Sequence, residues 1–180
     1  MYFEESGKIN TEKTLELAVK VAKEKNIKNI VVASGSGYTA KLLKDTKDIN
    51  IVCVTLATGS KEPGKNKMSK EIHKELTDSG MKVLTTTHVL SGAERALSKK
   101  FGGISPVEII SHALKMFGQG TKVCVEISTM ALDAGLIPYG ESVVAIGGSS
   151  EGADTAVIIT PNHANNILAT KVNEIICKPL

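Results

Sequence analysis

Ser34, Ser36 and Thr39 alternate with Gly35 and Gly37 directly after the apolar run Asn29-Ile30-Val31-Val32-Ala33, and a helical pattern begins at Tyr38-Thr39-Ala40. Hydroxyls and glycine amides in that order suit an anion. Glycine lets the backbone approach a phosphate closely, and the first turn of a following helix adds free N–H groups and the positive end of its dipole. A second apolar run, Ser142-Val143-Val144-Ala145-Ile146, stops in Gly147-Gly148-Ser149-Ser150-Glu151-Gly152-Ala153-Asp154-Thr155. Two such loops can share one ligand. No Gly-Lys-Ser/Thr follows the first loop, and its glycines miss the G-x-G-x-x-G spacing, so the pattern points to a monophosphate-type site and away from Walker or dinucleotide binding. Asp154 could bond a ligand hydroxyl or its own backbone, as turn aspartates do.

Other chemically capable residues are more scattered. Arg95 is the only arginine, hence the only side chain able to grip a phosphate or carboxylate bidentately, though its helical position also fits a solvated surface role. His88 follows Thr85-Thr86-Thr87 beyond an apolar run and so is expected at the same functional edge, as a capped loop residue or as part of the site. His73, His112 and His163 form no pair at ligand spacing, and no metal site is expected. Glu126 interrupts the apolar stretch Thr121 to Ile127, so its carboxylate is either buried with a partner or turned into a cleft. The lysines from Lys61 to Lys74, interleaved with glutamates, read as a solvated face. No G-x-S-x-G elbow supports covalent hydrolysis.

The elements that must hold these residues can be read from periodicity and caps. Leu15, Leu17, Ala18, Val21 and Ala22 predict a helix capped at Asn10-Thr11, followed by a strand from Lys28 to Ala33. A short helix through Ala40, Leu42 and Leu43 precedes a strand from Ile49 to Leu56; Met68, Ile72 and Leu76 predict the next helix, ended by Asp78-Ser79-Gly80. Met81 to Thr87 reads as a strand. Ser91-Gly92-Ala93-Glu94 and Ser105-Pro106-Val107-Glu108 carry capping-box spacing, the second with proline at the first helical position. Thr121 to Ile127 reads as a strand, then come a short helix through Met130, Leu132 and Ala134, strands at Ser142 to Ile146 and Ala156 to Thr160, and a last apolar piece from Val172 to Cys177. Continuously apolar strands need cover on both faces, which predicts a single α/β domain over residues 1–180: a three-layer α/β/α sandwich with a mostly parallel sheet and ligands beyond its C-terminal edge. The two strands around the second glycine loop, with no helix between them, are expected as an antiparallel hairpin at one edge.

Bulk properties remove several classes of function. A formal charge of +3 and 3% aromatic residues supply neither a basic field nor stacking platforms, so no nucleic-acid partner is expected. No apolar run approaches the ~20 residues that span a bilayer, and the N-terminus has no apolar signal region, so no membrane partner and a cytoplasmic location are expected. Cys53, Cys124 and Cys177 read as reduced core residues.

The strand followed by Ser34-Gly35-Ser36-Gly37-Tyr38-Thr39-Ala40-Lys41-Leu42-Leu43, together with the second glycine loop before a late strand, resembles the C-terminal α/β domain of pyruvate kinase. A closer resemblance, over nearly the whole chain, is to a family of stand-alone proteins with that fold, carried by Tyr2-Phe3, Gly7, Asn10-Thr11, Ala33-Ser34, Asp133-Ala134-Gly135-Leu136-Ile137 and Gly152-Ala153-Asp154-Thr155-Ala156. That resemblance implies bound flavin mononucleotide (FMN), its phosphate on Ser34, Gly35, Ser36, Gly37 and Thr39, and Gly147, Gly148, Ser149, Gly152, Asp154 and Thr155 closing over the rest. Thr55, Thr86, Thr87 and His88 would complete the lining. A flavin-dependent oxidoreductase of unknown substrate is then the expected function, with no pyruvate kinase activity, because the catalytic barrel has no counterpart here. The alternative is a non-catalytic sensor of a phosphorylated metabolite, with self-association expected by analogy with the pyruvate kinase tetramer.

Overall fold

The computed structural model describes residues 1–180. After a two-residue strand β1 (Tyr2–Phe3) come helix α1 (Thr11–Glu24), strand β2 (Asn29–Ala33), the one-turn helix α2 (Tyr38–Lys41) and strand β3 (Asn50–Val54). Helix α3 (Lys70–Asp78), strand β4 (Lys82–Leu84) and three successive helices follow: α4 (Ala93–Phe101), α5 (Pro106–Lys115) and α6 (Gln119–Asp133). Strands β5 (Val143–Gly147), β6 (Thr155–Thr160) and β7 (Lys171–Pro179) complete the chain.

The seven strands form one sheet in the order β1-β7-β6-β5-β2-β3-β4. β5, β2, β3 and β4 run parallel, and β6 is antiparallel to both β5 and β7. The expected hairpin is present as β5 and β6, but it lies inside the sheet. β7 and β1 extend the sheet beyond it, Tyr2 and Phe3 pairing in parallel with Lys178 and Pro179. The mixed sheet with helices on both faces is the α/β architecture expected of these apolar strands.

Alternate residues of β2 face opposite cores, as strand geometry requires. Ile30 and Val32 pack with Leu15, Ala18 and Ala22 of α1, whereas Val31 packs with Cys124, Ile127 and Ala131 of α6. Each fully buried Val or Ile contributes roughly 1.5–3 kcal/mol, so the two apolar layers anchor the ends of β2, β3 and β5 firmly.

One predicted element is wrong in kind. Thr121 to Ile127 is not a strand but the first half of α6. Its β-branched residues favour a strand locally, and twelve of its fifteen residues are buried, so the polar stripe that marks a surface helix is missing. The predicted strand from Met81 to Thr87 is shorter than read, ending at Leu84 and leaving Thr85 to Thr87 in an exposed loop. The cap expected at Ser91 falls at Gly92 instead.

Candidate functional site

After β2 the chain goes to β3 on one side, and β5 later lies against β2 on the other. A crevice opens outside the carboxyl ends of parallel strands where the winding reverses in this way. A cleft of about 380 Å³ occupies that place, lined by the segments that leave β2, β3 and β5 and by the start of α6.

The loop after β2 forms one wall, and its hydrogen-bonding groups are largely free. Ser34 N–H donates to the Val54 carbonyl at 3.0 Å, and Ser34 Oγ accepts from Ala40 N–H at 3.3 Å, which fixes both ends of the loop. Between them the amides of Gly35, Ser36 and Gly37, and the hydroxyls of Ser36 and Thr39, find no partner in the chain. Those on Gly35, Ser36 and Thr39 face a cleft, where free donors are accounted for only by water or a ligand. Gly37 has φ +90°, a left-handed conformation, and a Cβ there would come within 2.3 Å of Ile72 Cγ2. It turns the loop into α2 and does not itself line the cleft.

The loop after β5 behaves differently. Gly148, Ser149, Ser150 and Gly152 line the cleft, but Asp154 and Thr155 are completely buried behind it. The Asp154 carboxylate accepts from Gly7 N–H at 2.8 Å, Ser149 N–H at 3.1 Å and Thr155 Oγ1 at 2.8 Å. Ala153 N–H donates to Thr11 Oγ1 at 3.1 Å, so this loop is tied to the N-terminal segment. Gly147 is also interior, where a Cβ would stand 2.6 Å from the Gly120 carbonyl oxygen of α6.

The floor holds a cluster that sequence reasoning only half found. Lys122 Nζ lies 2.6 Å from Glu126 Oε2, His88 Nδ1 lies 3.4 Å from the same oxygen, and Leu90 N–H donates to Glu126 Oε1 at 3.0 Å. Glu126 is thus both buried with partners and part of the cleft lining, which unites the two readings of its carboxylate. Lys122 was hidden by the strand assignment; the signal that reveals it is the i, i+4 spacing of Lys122 and Glu126 on a helix. His88 Nε2 donates to the Thr55 carbonyl at 3.0 Å, so Nδ1 is the nitrogen that meets the carboxylate. The neighbouring Glu126 carboxylate raises the His88 pKa above its ordinary value, against the opposing effect of burial. Burial pushes Glu126 upward, but His88 and Lys122 together outweigh it and hold the carboxyl below the ordinary glutamate value. Lys8 and Lys67 stand at the mouth, Lys8 Nζ 4.4 Å from the centre of the Tyr38 ring and Lys67 Nζ 3.7 Å from Glu151.

Of the other expected site residues, Thr55 lines the cleft and its hydroxyl shares a 2.6 Å hydrogen bond with Thr85. Thr86 and Thr87 are exposed and outside it. Arg95 is exposed on α4, away from the cleft. No group of His, Cys, Asp and Glu is arranged to hold a metal, and no helix is long and apolar enough to cross a membrane.

Residues 12–159 match the family described as "Pyruvate kinase, alpha/beta domain". The chain belongs to that family. Similar solved structures include a pyruvate kinase from Cryptosporidium parvum, with 19% identity, 77% of this chain and 20% of that one covered, and a TM-score of 0.42. Another is the Cryptosporidium parvum pyruvate kinase in complex with ADP, with 20% identity, 82% and 22% coverage, and a TM-score of 0.42. The chain spans about a fifth of the length of these enzymes.

Membership of the pyruvate kinase α/β domain family overturns the flavin expectation: FMN as cofactor, the flavoprotein reading and flavin-dependent oxidoreduction are all withdrawn. The site agrees physically. A flavin ring system needs a broad apolar or aromatic slot. Only six of the 22 residues that line this cleft are hydrophobic, and its one tyrosine ring, that of Tyr38, has the Lys8 ammonium over one face.

Proposed function

We propose that this pyruvate kinase α/β domain is a non-catalytic binding module for a small phosphorylated ligand, whose phosphate sits on the loop from Ser34 to Thr39. The observation that carries the reading is the set of free donors there: the amides of Gly35 and Ser36 and the hydroxyls of Ser36 and Thr39, at a cleft bordered by cationic side chains. Backbone amides converging on a small concavity favour a multiply charged oxyanion over a neutral ligand. Ser34 fixes the loop, Gly148 and Ser149 form the facing wall, and Thr55 and His88 the floor. The three thiols, all free and buried, support a reducing cytoplasmic setting.

The reading is tested by calorimetric titration of the wild-type chain and Ser36→Asp with ethyl phosphate. The added carboxylate opposes the phosphate, and the expected loss of affinity is about tenfold or more, equivalent to ~1.4 kcal/mol. Equal affinities would remove the loop from the site.

A further inference from the structure

We propose that the floor of the cleft is a second anion subsite, built on Lys122 and His88, so that the ligand carries a second acidic group, a carboxylate, in addition to its phosphate. The inference deepens the reading above and rests on it for the phosphate end of the ligand. Lys122 is only 6% exposed, yet it borders the cleft and its ammonium meets a single acceptor in the chain, Glu126 Oε2. An ammonium has three protons to donate. Two of them remain free at a position where bulk water is nearly excluded, and a buried charge in that state favours any anion that can reach it.

The charge count points the same way. Because His88 Nε2 donates to the Thr55 carbonyl, its Nδ1 attracts Glu126 only when that nitrogen also carries a proton, making the ring an imidazolium. Two cations then share one carboxylate. Both Glu126 oxygens are already engaged, Oε1 by Leu90 N–H and Oε2 by Lys122 and His88, so the excess positive charge has no further partner within the cluster. The remaining charged groups around the cleft are at its mouth: Lys8, Lys67 and Glu151, with Lys67 and Glu151 already paired with each other. Gln119, at the start of α6, lines the same side and presents a neutral amide.

A carboxylate placed here would accept charge-assisted hydrogen bonds from Lys122 while the phosphate holds the loop after β2. The probes are phosphoglycolate, its longer-chain homologues and the methyl ester of each, titrated against the wild-type chain and Lys122→Gln. Each ester keeps the phosphate, removes the carboxylate charge and adds one methyl group, so phosphate titration cancels in the acid-to-ester ratio and only the part of the advantage that falls with pH and in Lys122→Gln reports the charge. At least one free acid is expected to bind the wild type about tenfold more tightly than its ester. The advantage should fall close to unity in Lys122→Gln, and in the wild type it should shrink as rising pH removes the His88 proton. Equal binding of acids and esters at every chain length overturns the proposal, as does a full advantage retained by Lys122→Gln. If that variant does not fold, the wild-type pH series decides alone, and a ratio that does not fall with pH overturns it. Esters that bind without any gain for the acids sink the second subsite and leave the phosphate site standing; failure of every probe, ethyl phosphate included, sinks both.

Discussion

The two glycine-rich loops are alike in composition and opposite in use. The loop after β2 is fixed at its ends by Ser34 and leaves its central donors free, whereas the loop after β5 commits Asp154, Thr155, Gly147 and Gly152 to holding itself against α6 and the N-terminal segment. Small residues permit close approach in both places. What approaches differs: open cleft in the first, and packed protein in the second. Composition alone cannot separate these cases; only the account of where each hydrogen bond goes does so.

The sharpest way to break the comparison is to crowd the second loop. Gly152 has φ +72°, and a Cβ there would stand 2.2 Å from Thr11 Oγ1 and 2.8 Å from Lys8 Cα. Gly152→Ala is expected to lose about 3–4 kcal/mol in denaturant unfolding, through overpacking and left-handed strain together. Asp154→Ala follows at about 3 kcal/mol, because Gly7 N–H, Ser149 N–H and the Thr155 hydroxyl lose their acceptor. By contrast Ser36→Asp, in the first loop, should change stability by no more than ~0.5 kcal/mol while weakening phosphate binding. Comparable destabilisation at Ser36 and Asp154 would erase the distinction between the loops.

The floor cluster gives a smaller effect with a defined pH window. The His88 pKa is raised in the folded chain, so its contribution is complete below the unfolded value of 6.5 and is lost as pH rises through the folded value. His88→Gln is therefore expected to cost about 1–2 kcal/mol at pH ~6 and progressively less above neutrality, as read by thermal unfolding at several pH values. Glu126 runs the other way: its pKa is lowered, so its contribution is present above 4.5 and disappears as pH falls through the folded value. A His88→Gln penalty that grows with pH would contradict the assigned geometry. The smallest effect belongs to Ser149→Ala, within ~0.5 kcal/mol, because Asp154 holds the backbone amide of Ser149 rather than its hydroxyl.

The parallel strands and the open turn after β2 were legible because their signals are local: unbroken apolar runs, then glycine and hydroxyls. The box at Ser105 was equally plain, and Glu108 Oε2 indeed accepts from Ser105 N–H at 2.8 Å and from Ser98 Oγ at 2.6 Å. Helix α6 was illegible because it is buried nearly all round, and with it went Lys122, whose partnership with Glu126 depends on helical spacing. Thr86 and Thr87 were assigned to the site because β4 reads longer than it is; pairing with β3 ends at Val54 and Leu84. The flavin did not come from the residues at all. It came from a resemblance, and the chain's membership of the pyruvate kinase α/β domain family replaced it.

The most direct test of the phosphate site is a ¹H–¹⁵N correlation spectrum of the wild-type chain titrated with ethyl phosphate. The account predicts saturable shifts largest at the amides of Gly35 and Ser36, with smaller ones at Gly148 and Ser149. Shifts centred elsewhere, or none at concentrations that saturate other phosphate sites, would contradict it.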